Sequence, residues 1–130
     1  TSAQANSLSV SGAGSVVIND DIPGDQSTTA FVERGSIISG VLEVPEDTDW
    51  YKIQLNEGND LMIRLFMQSN DQNSSALLEL YDQAGNLLVT GINYQPSSAE
   101  IFYFPSYTGT AYVSVASVGS SFAETYDLFF

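Results

Sequence analysis

From Asn19 to the last residue, short apolar stretches alternate with turn residues at intervals of about 8 to 12 positions. Such spacing leaves room for brief strands and frequent reversals, the pattern of an antiparallel β-sandwich. Strands are expected near residues 28–32, 36–43, 49–55, 60–67, 76–81, 87–90, 99–104, 110–116 and 124–130. No segment carries a helical period. Asn56-Glu57-Gly58-Asn59 and Asp82-Gln83-Ala84-Gly85-Asn86 read as hairpin turns, each with a glycine able to take positive φ. Residues 1–18 are small and polar and read as a linker, or as a short added strand around Leu8, Val10 and Val16 to Ile18. Residues 19–130 read as one sandwich domain, and the start at Thr1 reads as a cut from a longer protein.

Alternation assigns faces, because successive strand side chains point to opposite sides. Tyr51, Ile53 and Leu55 share one face, as do Leu61, Ile63, Leu65 and Met67. Ile101 with Tyr103, Val113 with Val115, and Tyr126, Leu128 and Phe130 complete a consistent core set. Trp50, Phe66, Phe102, Phe104, Tyr112 and Phe129 fall on the opposite parity. Either they form an outward aromatic surface of the kind that marks a ligand or domain interface, or a loop, the N-terminal segment or a shifted register covers them.

Composition removes several function classes. Three basic residues face sixteen acidic ones, a formal charge of −13, which repels nucleic acid and anionic membranes and favours cations or basic surfaces. The same charge also serves plain solubility. No run of about 18 apolar residues is present to cross a membrane as a helix. With no cysteine there are no disulfides, and stability must come from the core, a metal or neighbouring domains. With no histidine, the commonest general base and the commonest zinc ligand are missing. Ser11-Gly12-Ala13-Gly14-Ser15 lacks the lysine and the strand–helix setting of a phosphate loop. Sixteen carboxylates always contain pairs, but none sits in a motif for glycoside hydrolysis.

Two constellations remain. Calcium wants six to eight oxygen ligands, several of them carboxylates. Asp20, Asp21 and Asp25 form one acidic cluster, and Glu46, Asp47 and Asp49 another. The alternative is that Asp25, Asp47 and Asp49 cap loop backbone. The second constellation is aromatic: Trp50, Phe102, Phe104 and Tyr112 are candidates for stacking on sugar rings or gripping a peptide.

The stretches Asp47-Thr48-Asp49-Trp50-Tyr51-Lys52-Ile53-Gln54-Leu55, Leu78-Glu79-Leu80-Tyr81-Asp82-Gln83-Ala84-Gly85-Asn86-Leu87 and Gly109-Thr110-Ala111-Tyr112-Val113-Ser114-Val115 occur in this order, before a closing Glu124-Thr125-Tyr126-Asp127-Leu128. Together they resemble the bacterial pre-peptidase C-terminal domain family, over nearly all of residues 19–130. The resemblance implies an antiparallel jelly-roll β-sandwich of about eight or nine strands. It also implies a non-catalytic, extracellular module appended to secreted proteases, hydrolases or large adhesins. Its partners would be a protein, peptide or polysaccharide surface and covalently linked neighbouring domains. By resemblance to the collagenase members, Asp20, Asp21, Glu46, Asp47 and Asp49 match calcium-holding positions. Other readings are a spacer in a repeat adhesin or a carbohydrate-binding module. The sequence departs from the family at Gly91-Ile92-Asn93-Tyr94-Gln95-Pro96-Ser97-Ser98, where an acidic loop is usual, and at Phe102 and Phe104, where small polar residues are usual.

Overall fold

The computed structural model describes residues 8–10, 15–17, 27–28, 30–42, 47–68, 75–95, 97–118 and 124–130. Their strands in chain order are β1 (Leu8–Val10), β2 (Ser15–Val17), β3 (Ala30–Val32), β4 (Ile37–Leu42), β5 (Thr48–Leu55), β6 (Leu61–Gln68), β7 (Ser75–Tyr81), β8 (Leu87–Thr90), β9 (Ile92–Gln95), β10 (Ser98–Tyr103), β11 (Gly109–Val118) and β12 (Glu124–Phe129). They form two six-stranded sheets, in the orders β1-β3-β5-β11-β7-β8 and β2-β4-β12-β6-β10-β9. The first is called the β11 sheet below and the second the β12 sheet.

The chain passes back and forth between the sheets. Eight strands, β4 to β8 and β10 to β12, supply two antiparallel four-stranded sheets, β5-β11-β7-β8 and β4-β12-β6-β10, wound as a jelly roll. The other four widen the edges: β3 runs parallel to β5, β1 parallel to β3, β2 parallel to β4, and β9 antiparallel to β10. The N-terminal segment therefore supplies an edge strand to each sheet.

All nine expected strands are present, and periodicity identified their inward faces. Tyr51, Ile53, Leu55, Leu61, Ile63, Leu65, Ile101, Val113, Val115, Tyr126 and Leu128 are all within 3% of full burial. β6 shows the pattern in its simplest form: Leu61, Ile63, Leu65 and Met67 are buried, whereas Met62, Arg64, Phe66 and Gln68 are exposed. Filling the space between the sheets with such side chains stabilises by about 1.5–3 kcal/mol for each fully buried large residue.

Two local expectations change. β9 lies within the stretch read as a loop. Its hairpin with β10 is fixed by the Asn93 side-chain amide, which donates to the carbonyls of Ala76 and Ser98, both at 2.8 Å. The turn at Asn56–Asn59 is not a hairpin, since β5 and β6 belong to different sheets. Gly58 has the anticipated positive φ of 82°, but its N–H donates to the Pro105 carbonyl and the Glu57 N–H donates to Thr108 Oγ1, so the turn arches over the end of the sandwich. The Asp82–Asn86 turn does join antiparallel neighbours, β7 and β8. There Asp82 Oδ1 accepts from the Ala84 and Asn86 N–H groups while Gly85 takes φ 88°. These backbone donors, Asn86 foremost, hold the Asp82 carboxyl below the usual range.

Candidate functional site

The acidic-aromatic run enters the structure as the start of β5. Asp49 and Tyr51 point inward, and Trp50 points outward. Asp49 is 1% exposed, and its Oδ2 accepts a 2.8 Å hydrogen bond from the Tyr126 hydroxyl. The Tyr51 and Tyr126 hydroxyls are themselves hydrogen-bonded. A polar chain thus runs through the core from β5 to β12, with every phenol satisfied. Burial is the main reason both hydroxyls are pushed above the ordinary phenol range. For Tyr51 the Asp49 charge adds to it, and for Tyr126 the adjoining Tyr51 and Asp49 do. The Tyr126 ring lies over Gly40, its register partner on β4, where an added Cβ would come within 2.5 Å of the ring.

Of the five residues matched to calcium, Asp20, Asp21 and Glu46 lie outside the described residues. Asp47 precedes β5, and its Oδ1 accepts from the Thr48 N–H. No group of three or more potential ligands occurs among the described residues. Asp47 and Asp49 carry hard oxygen donors of the type calcium prefers. Their chemistry fits that ion.

The six aromatics of opposite parity do not form one cluster. They divide between the two outer faces of the sandwich. On the β11 sheet, Trp50 stacks on Tyr81 with ring centroids 4.5 Å apart and meets Tyr112 at 5.7 Å. Tyr112 is 7% exposed and Trp50 only half-buried, so these rings largely cover one another and their own strands. Ser114, between Trp50 and Glu79 in register, is buried on this outer face as well. Tyr81 completes the group. Its hydroxyl donates to Glu79 Oε1 at 2.8 Å, and partial burial with that bond raises the phenol to about 12. Sequence reasoning placed Tyr81 on a strand but not in the cluster. The signal is the β7–β11 register, which sets Tyr81 opposite Tyr112, and a single strand does not reveal its partner.

On the β12 sheet, Phe102 stands opposite Met62 and Phe66 opposite Asp127. Phe66 and Phe129 meet edge to face at 5.6 Å. Between the two apolar groups, Arg64 Nε pairs with Glu100 Oε2 at 2.8 Å. Phe102 and Phe104 are 60% and 66% exposed, Phe104 just beyond the end of β10. A groove of about 220 Å³ lies beside the ion pair, lined by Arg64, Phe66, Gln95, Ser98, Ala99 and Glu100. A second, larger cavity of about 400 Å³ opens at one end of the sandwich, with Phe31, Val32, Ile53, Leu61 and Phe130 as its apolar part and Arg34 among its polar lining. Arg34 donates to the carbonyls of Asn59 and Asp60 and so braces the β5–β6 arch.

Neither a family model nor a curated protein matches the sequence. Among solved structures, the pre-peptidase C-terminal domain of collagenase from Bacillus anthracis is similar. The TM-score is 0.62 at 18% identity, covering 77% of this chain and 91% of that one. The sandwich expected from periodicity and the resemblance to the pre-peptidase C-terminal fold therefore meet in the same three-dimensional arrangement.

Proposed function

We propose that this chain is a non-catalytic, extracellular accessory domain of a bacterial protein, of the pre-peptidase C-terminal kind, assisting a linked enzyme or adhesin in reaching its substrate or surface. The supporting observation is the fold likeness, which spans nearly all of the collagenase domain. The charge of −13 is consistent with a module exposed to solvent. The test is to incubate the purified chain with casein, gelatin and a panel of polysaccharides. All are expected to remain intact, while one insoluble polymer retains the chain in a pull-down. Cleavage that copurifies with the chain through successive columns overturns the reading.

Calcium belongs to this proposal. Asp47 and Asp49 would contribute carboxylates to it together with Asp20, Asp21 and Glu46, and the ion would offset their mutual repulsion. Binding to the folded state alone stabilises by about 2.7 kcal/mol when the free ion is at a hundred times Kd. The melting temperature is expected to be higher in millimolar calcium than in EDTA. Coincident transitions in the two buffers remove calcium from the proposal.

A further inference from the structure

The outer face of the β12 sheet leaves large apolar side chains in water. Met62, Phe66 and Phe102 are 40%, 44% and 60% exposed, and half-buried Phe129 continues the strip across to β12. Ile92, 62% exposed, stands opposite Glu100 on the edge strand β9. Met62 with Phe102 and Phe66 with Phe129 form two groups on either side of the Arg64–Glu100 pair. Large exposed apolar side chains gathered on one face with a polar centre mark interaction surfaces. The β11 sheet differs, since Trp50, Tyr81 and Tyr112 cover one another there.

The charges on this face select the occupant. Its one cation, Arg64, is already paired with Glu100. Asp127 stands opposite Phe66 with both oxygens held, Oδ1 by the Ser39 hydroxyl at 2.6 Å and Oδ2 by the Gln68 amide at 3.1 Å. Both donors are neutral, and no ion pair to Asp127 occurs among the described residues. The carboxylate is thereby fixed in orientation beside two phenylalanines while keeping its charge and spare acceptor positions. A cation brought there would lose little to reorganisation, and its stem would lie on apolar surface. The whole chain has sixteen acidic residues against three basic ones, which adds a long-range pull on a cationic partner. A second copy would instead bring like charge against like.

We propose that the outer face of the β12 sheet docks a basic, apolar polypeptide segment, whose apolar side chains cover Met62, Phe66 and Phe102 and whose lysine or arginine pairs with Asp127. The groove between Arg64, Glu100, Gln95 and Ser98 accepts one side chain of that segment. This surface is independent of the accessory-domain reading, because it concerns the isolated chain alone.

The experiment is an amide NMR titration of the full chain with a synthetic peptide of alternating arginine and leucine, blocked at both ends. A glutamate–leucine peptide serves as control. Saturable shifts are expected on β6, β10 and β12, weakening with salt, and none with the control. Asp127→Asn is expected to weaken binding about fivefold, as for an exposed charge pair. Phe102→Ser and Met62→Ser are each expected to weaken it while leaving urea unfolding unchanged, because both side chains are exposed. Non-saturable shifts, shifts centred on Trp50, or equal affinity for Asp127→Asn overturn the proposal. So does concentration-dependent dimerisation without peptide that shifts the same residues, which assigns the face to a second copy.

Discussion

The Tyr126 hydroxyl donates to Asp49 Oδ2 at 2.8 Å, joining the last strand of one sheet to the first long strand of the other. Sheet-to-sheet packing is otherwise apolar and non-directional, so this bond fixes how the sheets face each other more than it adds net energy. Tyr126→Phe keeps the ring over Gly40 but deprives a buried carboxylate of a donor. The expected loss is about 1–3 kcal/mol in urea unfolding, with the fold retained by far-ultraviolet circular dichroism. Tyr51→Phe removes only the terminal hydroxyl of the hydrogen-bonded chain, leaving the bond to Asp49, and is expected to cost less. A loss for Tyr51→Phe equal to that for Tyr126→Phe contradicts this order.

Gly40 is the steric partner of that arrangement. It is buried, and a Cβ there would lie 2.5 Å from the Tyr126 ring and hydroxyl. The ring is packed on all sides, so Gly40→Ala must displace it. We expect a cost of about 1–3 kcal/mol by the overpacking mechanism. Combined with Tyr126→Leu, which vacates the space, the two substitutions are expected to cost less than their sum, and a double-mutant cycle reads that coupling. Strict additivity would mean that the ring is not what Gly40 accommodates.

The buried phenols also set the alkaline limit. Tyr51 and Tyr126 have folded-state pKa values raised above the ordinary 10.0. The unfolded chain therefore releases these protons at a lower pH than the folded one, and above pH 10 the folded state holds more protons. Their contribution is present in full below pH 10 and is lost progressively as pH rises from there toward the folded-state values. Stability measured by urea titration is expected to fall steeply above pH 10. The fall should be shallower in Tyr126→Phe, which has one fewer phenol to ionise. Parallel alkaline limbs in the two proteins would contradict this.

The faces of the strands were legible because a period of two is local: Tyr51, Ile53, Leu55 and the β6 set follow from neighbouring residues alone. What joins strands is not local. Whether Asn56–Asn59 turns a hairpin or crosses between sheets depends on where β6 finds its partners, β12 and β10. The same gap hid the aromatic arrangement. Parity marked Trp50, Phe102, Phe104 and Tyr112 as outward, but it does not say on which of two sheets, and they divide between them. The role of Asp49 as a core acceptor was likewise not visible, since its donor Tyr126 lies 77 positions away.

That division gives a contrast between the two faces. Trp50, the chain's one tryptophan, reports on the β11 face directly by its fluorescence. Tyr81 covers it by stacking at 4.5 Å, so Tyr81→Ala is expected to shift Trp50 emission to longer wavelength. It should also cost about 1 kcal/mol or more, since the stacked pair alone accounts for about 0.5–1.5 kcal/mol beyond area burial. On the opposite sheet, Phe102→Ser removes a ring already 60% in water. It is expected to change stability by less than about 0.5 kcal/mol and to leave Trp50 emission where it was. Equal destabilisation by the two substitutions would mean that the β12 face, like the β11 face, is held by its own packing.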